Sequence, residues 1–137
     1  MPVIETDLLK AYLDPDDRLH EASLKAFDSL TRTNGYALSS ASLIELDLLL
    51  KSAGFSADER EAVFHTLTIR LFRANIIPIS PRALTNAVVL QGKYRIPRFY
   101  FDSLHLGLAM CHDGKIISSD QEFDRVEEVE RIDPAEL

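Results

Sequence analysis

Apolar positions along this chain come in short unbroken runs separated by longer stretches with helical spacing. "PVIE" at 2–5 has the pattern of a buried strand end, and "TDLLKAYL" at 6–13 predicts one or two helical turns before "DPDD" interrupts them. Leu19, Ala22, Leu24, Ala26, Phe27 and Leu30 recur at helical intervals. They predict a helix over about 17–32, capped by Asp16 or Asp17 and ended by "TNG", with Gly35 as the left-handed residue. "YALS" reads as a strand. Ser40 or Ser42 then opens a helix carrying "LIELDLLLKSAG", which Gly54 ends. "SADE", Ser56 to Glu59, has the capping-box pattern and starts an amphipathic helix to about Ala74. "NIIPIS" is a strand, Pro81 suits the first turn of another helix, and "GKYRIPRFY" reads as a basic, aromatic loop. Tyr100 to Met110 forms a helix with no polar face, "KIISSD" is a strand, and "VERID" is a last one.

Short apolar strands separated by helices predict an α/β sandwich around a mostly parallel sheet, with helix dominant. The chain has 137 residues, 46% of them hydrophobic, which is enough for the core of one domain, and neither repeats nor composition shifts suggest a second. The single Cys111 lies inside an apolar run and reads as a core residue in a reducing compartment. With no signal-peptide pattern and no long uncharged apolar window, the expected location is the cytoplasm, without a membrane. Net charge is −7, from 15 Lys plus Arg against 22 Asp plus Glu. That balance weighs against nucleic-acid binding by general electrostatics, unless bound metal offsets some of the acids locally.

Four acids stand in unusual places. Glu5 ends the first strand with Asp7 just beyond it, Glu45 sits among leucines, Asp102 heads the apolar helix, and Asp120 follows "KIISS". In parallel α/β sheets the strand C-termini and neighbouring helix N-termini form one rim, where sites occur. Carboxylates gathered there repel one another and call for a counter-charge. Oxygen donors without a Cys or His set suit Mg²⁺ or Mn²⁺, and such an ion can polarise a phosphodiester and activate water. Asp102 also has a simpler reading, as an acid favoured at a helix N-terminus. His105, one helical turn after Asp102, is by type more often a hydrogen-bonded core group than a ligand. Asp124 follows Asp120 closely enough to support a second ion.

"VIETDLLKAYL", "SLIELDLLLK", "FDSLHLGLAM" and "KIISSDQEF" resemble, in order and spacing, the four acidic blocks of the PIN domain family. The resemblance implies one PIN-like domain over residues 1–137, a three-layer α/β/α sandwich with a short, mostly parallel central sheet. It further implies a metal-dependent ribonuclease using Mg²⁺ or Mn²⁺, similar to the VapC-like toxins of toxin–antitoxin pairs. RNA would be its substrate, an antitoxin protein its partner and a homodimer its assembly. By block matching, Glu5, Glu45, Asp102 and Asp120 take the acidic positions that serve catalysis and metal; Asp7, which points to the same side as Glu5 if the strand stays extended, is a further candidate metal ligand. One block departs from the family: Glu5-Thr6-Asp7 stands where Asp-Thr-Asn or Asp-Thr-Ser is usual, which adds a methylene to the first ligand. A non-catalytic PIN-like module that binds RNA or protein therefore stays open as the alternative. In "KYRIPRFYF", cations interleaved with aromatics fit single-stranded RNA, so Arg95 and Arg98 are candidate substrate contacts.

Overall fold

The computed structural model describes residues 1–95 and 100–137. Five strands form one sheet: β1 (Val3–Ile4), β2 (Ala37–Ser39), β3 (Ile76–Ile77), β4 (Lys115–Ile117) and β5 (Glu130–Ile132), in the order β3-β2-β1-β4-β5. Every neighbouring pair is parallel, so the sheet is more uniform than the sequence pattern implied. Successive side chains on a strand point to opposite faces, and the register lines them up across the sheet. Val3 pairs with Ala37 and Ile116, and Ile4 with Leu38 and Ile117.

Those two rows feed two cores. Val3, Ala37 and Ile116 pack with residues of α5 (Pro81–Tyr94) and α6 (Tyr100–Met110). Ile4, Leu38 and Ile117 pack against α1 (Thr6–Leu13), α2 (His20–Arg32), α3 (Ser40–Ser52) and α4 (Ala57–Arg70). Helices thus cover both faces, giving the α/β/α sandwich. No described helix is long and apolar enough to cross a membrane.

Several boundaries follow turn chemistry that the hydrophobic pattern does not report. α2 starts at His20, because Asp14 and Asp17 accept from the backbone N–H groups of Asp16 and Leu19 and spend their side chains on a turn. Asn34, with φ of 52°, takes the left-handed position assigned to Gly35. α4 stops at Arg70, and the next strand keeps only Ile76–Ile77. The capping box of Ser56 and Glu59 is formed, Ser80 caps α5, and Pro81 occupies its first turn. α5 runs through Tyr94, so Gly92, Lys93 and Tyr94 of the expected loop are helical, and Arg95 ends the helix with φ of 50°. α3 exposes Ile44, Leu48 and Leu49 although its sequence is almost wholly apolar.

α5 and α6 lie unusually close. A Cβ on Gly107 would stand 2.4 Å from the Ala83 carbonyl oxygen and 2.9 Å from the Ala87 nitrogen. This contact lets α6 bury every residue from Ser103 to Ala109 and fixes the depth of its first turn, where Asp102 sits.

Candidate metal centre

The chain runs from β1 to β2 and β3 on one side, then returns to β4 and β5 on the other, so the strand order switches between β1 and β4. Both strands end at this crevice, a place where parallel sheets leave room for ligands. Glu5 follows β1 directly, and Ser118 to Asp120 follow β4. α3 and α6 supply Glu45 and Asp102.

Glu5 is only 6% exposed. The Ser118 hydroxyl donates to its Oε1 at 2.7 Å, while the Asp7 N–H approaches Oε2 only at 3.4 Å. Burial, followed by the nearby charge of Asp7, holds the Glu5 carboxyl well above its ordinary range despite the Ser118 bond. Asp7 itself turns to the β4 end: its Oδ2 accepts from the N–H and hydroxyl of Ser119, at 2.7 and 2.6 Å. It therefore ties the start of α1 to the loop that carries Asp120.

Glu45 is held from two sides. Its Oε1 accepts from the Thr6 hydroxyl and lies 3.1 Å from His105 Nε2. His105 is fully buried, and its Nδ1 lies 2.9 Å from the Ser39 hydroxyl. The bonds are mutually satisfied when Nε2–H donates to Glu45 and Nδ1 accepts from Ser39. Burial acts to raise the Glu45 pKa, but hydrogen bonds from His105 and Thr6, together with the charges of His105 and Lys10, leave it lowered. With both ring nitrogens engaged, His105 acts as a support for Glu45. Its place in an apolar helix was the only sequence sign of this, and Thr6 gave none.

Asp102 is half-buried, and its pKa is raised to about 7 by burial and then by the charges of Glu45, Asp120 and Asp7. Asp120 also caps a 3₁₀ helix, Gln121–Arg125, accepting from the Glu122 N–H at 2.9 Å. Among the described residues, no Lys or Arg forms an ion pair with Glu5, Asp7, Asp102 or Asp120.

Ligand atoms of Glu5, Glu45 and His105 lie within 4.8 Å of one another. Since His105 is occupied, the available donors are carboxylate oxygens, with Asp102 and Asp120 alongside. Oxygen donors carrying surplus negative charge fit a hard divalent cation such as Mg²⁺ or Mn²⁺. Asp124 does not join this group: Arg131 holds both of its oxygens, at 2.8 and 3.1 Å. Arg95 lines a small cleft of about 50 Å³ with Asp102, Tyr94, Phe123 and Arg125. Arg98 lies outside the described residues.

The PIN domain family model matches residues 3–129. Among solved structures, FitAcB from Neisseria gonorrhoeae superposes with a TM-score of 0.74 at 18% identity over 100% of both chains. VapBC2 from Rickettsia felis, bound to a DNA fragment from its promoter, gives 0.72 at 18% identity over 96% of each chain. A toxin–antitoxin complex from Klebsiella pneumoniae gives 0.67 at 19% identity over 98% of each. At these identities the likeness is one of fold. No curated protein matches the sequence. The family match over nearly the whole chain, together with the fold, shows that the chain belongs to the PIN domain family.

Proposed function

We propose that this chain is a Mg²⁺- or Mn²⁺-dependent endoribonuclease and the toxin half of a toxin–antitoxin pair. The observation that carries this reading is the convergence of Glu5, Glu45 and His105 ligand atoms within 4.8 Å of one another, beside Asp102, whose pKa burial and then the charges of Glu45, Asp120 and Asp7 raise to about 7. Glu5, Glu45, Asp102 and Asp120 would hold the ion, and Asp7 would brace the rim through Ser119. When bound, the ion supplies charge to the phosphodiester and lowers the pKa of its water. The chain's own contribution is placement. Thr6 and His105 fix the Glu45 oxygen, Ser118 fixes Glu5 Oε1, and Asp102 sheds near neutral pH a proton that would otherwise compete with the metal. Arg95, which lines one cleft with Asp102, would hold an RNA phosphate.

Complexes of toxin with antitoxin among the similar structures support an antitoxin-type partner. The chain is read as one domain that acts in the cytoplasm as a homodimer. The deciding experiment is cleavage of single-stranded RNA by metal-stripped protein, with and without Mn²⁺, for wild type and Asp120→Asn. Cleavage by wild type that needs Mn²⁺ and is lost in the variant supports the reading. Absence of cleavage under every condition, with RNA still bound, would replace it with the non-catalytic binding module, for which Glu5 in the usual aspartate position is the motive.

A further inference from the structure

A rim of carboxylates without its metal repels RNA, so beyond Arg95 the affinity for a polyanion draws on cations elsewhere on a chain of net charge −7. One groove stands out, at the edge of the sheet opposite that rim. α2 and α4 lead into β2 and β3, so their C-terminal ends lie near the strand N-termini. There Arg32, Arg70 and Arg73 line an open groove of about 790 Å³ together with Asn34, Ile69 and Phe72.

Phe72 is 84% exposed and Ile69 66%. Cations at helix C-termini are favoured by the helix dipole, which accounts for Arg32 and Arg70 but not for a phenylalanine left in water beside them. The guanidiniums are only lightly engaged. Arg32 pairs with Asp28 on the open surface, Arg70 sits 5.6 Å from the centre of the Tyr12 ring, and Arg73 has no ion pair among the described residues. Arginine can bind phosphate with two parallel N–H bonds, and a free aromatic face can stack an unpaired base.

We propose that Arg32, Arg70, Arg73 and Phe72 form a second contact for single-stranded RNA, on the opposite edge of the sheet from the acidic site. The proposal rests on RNA being the substrate. A long strand engages both places, while a short one is cleaved at the rim without reaching the groove.

The test uses full-length protein in two assays. Without metal, the anisotropy of a labelled oligouridylate of about 25 nucleotides measures binding apart from catalysis. Arg32→Gln with Arg73→Gln should weaken it about tenfold and lower the salt slope by about 1.4, and Phe72→Ala should weaken it about threefold. With Mn²⁺, the double variant should raise KM for the long RNA and leave cleavage of an oligomer of about five nucleotides unchanged. All three side chains are exposed, so unchanged melting temperatures are expected to accompany these effects. Equal binding of the long RNA by wild type and both variants would overturn the proposal whatever the cleavage result. So would a glutamate-rich peptide that displaces the RNA from wild type and binds more tightly, since the groove would then belong to an acidic protein. Binding through the groove without any cleavage would leave the groove standing and remove the nuclease reading alone.

Discussion

His105 Nε2 lies 3.1 Å from Glu45 Oε1, joining the buried helix α6 to the acid on α3, with Ser39 behind the ring at 2.9 Å. The imidazole holds a carboxylate in place from a fully buried position, so its removal leaves the Ser39 hydroxyl without its partner and Glu45 with Thr6 alone. His105→Leu should destabilise the fold by about 2–4 kcal/mol in denaturant unfolding. It should also weaken Mn²⁺ binding by roughly 10–100-fold, the usual cost of losing a group that orients a metal ligand. Mn²⁺ titration of the folded variant is the check; unchanged affinity would reduce His105 to a core residue.

Asp102 carries a pH dependence whose sign can be worked out. Its pKa is about 7 in the folded, metal-free chain, against 3.8 for an ordinary aspartate. Between those values the folded state binds the proton more tightly than the unfolded chain does. Asp102's own contribution to metal-free stability should therefore be fully present below about pH 4 and be lost as the pH rises through 7. Asp102→Asn should remove that decline and be more stable than wild type at pH 8 by on the order of 1–2 kcal/mol, a figure reduced for partial contact with water. The two proteins should converge near pH 4, and RNA cleavage should be lost in the variant. Paired melts across this range decide it. A constant gap would assign the effect to packing.

Much of the fold was legible because the apolar runs at Val3–Ile4, Ala37–Leu38 and Ile116–Ile117 read as strands under any periodicity. Helix ends were legible where one local motif acts alone, as at Ser56–Glu59. They failed where side chains compete for the backbone, as Asp14 and Asp17 do before α2. Glu5, Asp102 and Asp120 could be named as candidates from strand and helix ends, since topology brings such ends together, and Glu45 from its place among leucines and its block match. Thr6, Ser118 and Ser119 could not. Small hydroxyls are common at caps, and only the tertiary pairing shows that these three hold carboxylates.

Gly107 makes a prediction about α6 as a whole. A Cβ there meets backbone atoms of α5, which cannot swing aside as a flexible side chain would. Gly107→Ala should force the two helices apart and cost about 1–3 kcal/mol, even though alanine is the better helix former. Because the shift also lifts Asp102, Mn²⁺ affinity should fall with stability. A variant as stable as wild type would show that the α5–α6 contact yields easily.

Glu5 decides whether the substitution in the first acidic block is tolerated. Ser118 donates to Glu5 Oε1 at 2.7 Å and accepts from the Asp120 N–H at 3.0 Å, so one hydroxyl aligns acids from two strands. Ser118→Ala removes the bond that favours the charged carboxylate, and the Glu5 pKa should rise further above its ordinary range. A cation must displace that proton, so the melting-temperature increase produced by Mn²⁺ should require a higher pH in this variant than in wild type. Glu5→Gln keeps an oxygen to accept from Ser118 but loses the charge. It should melt higher than wild type without metal at pH 8 and gain much less from Mn²⁺ at any pH. Measuring the Mn²⁺-induced shift from pH 6 to 9 separates the outcomes. A shift in Glu5→Gln equal to that of wild type would mean that the ion rests on Glu45, Asp102 and Asp120 without Glu5. A smaller shift, with Ser118→Ala displaced along the pH axis, would make the longer side chain a working ligand.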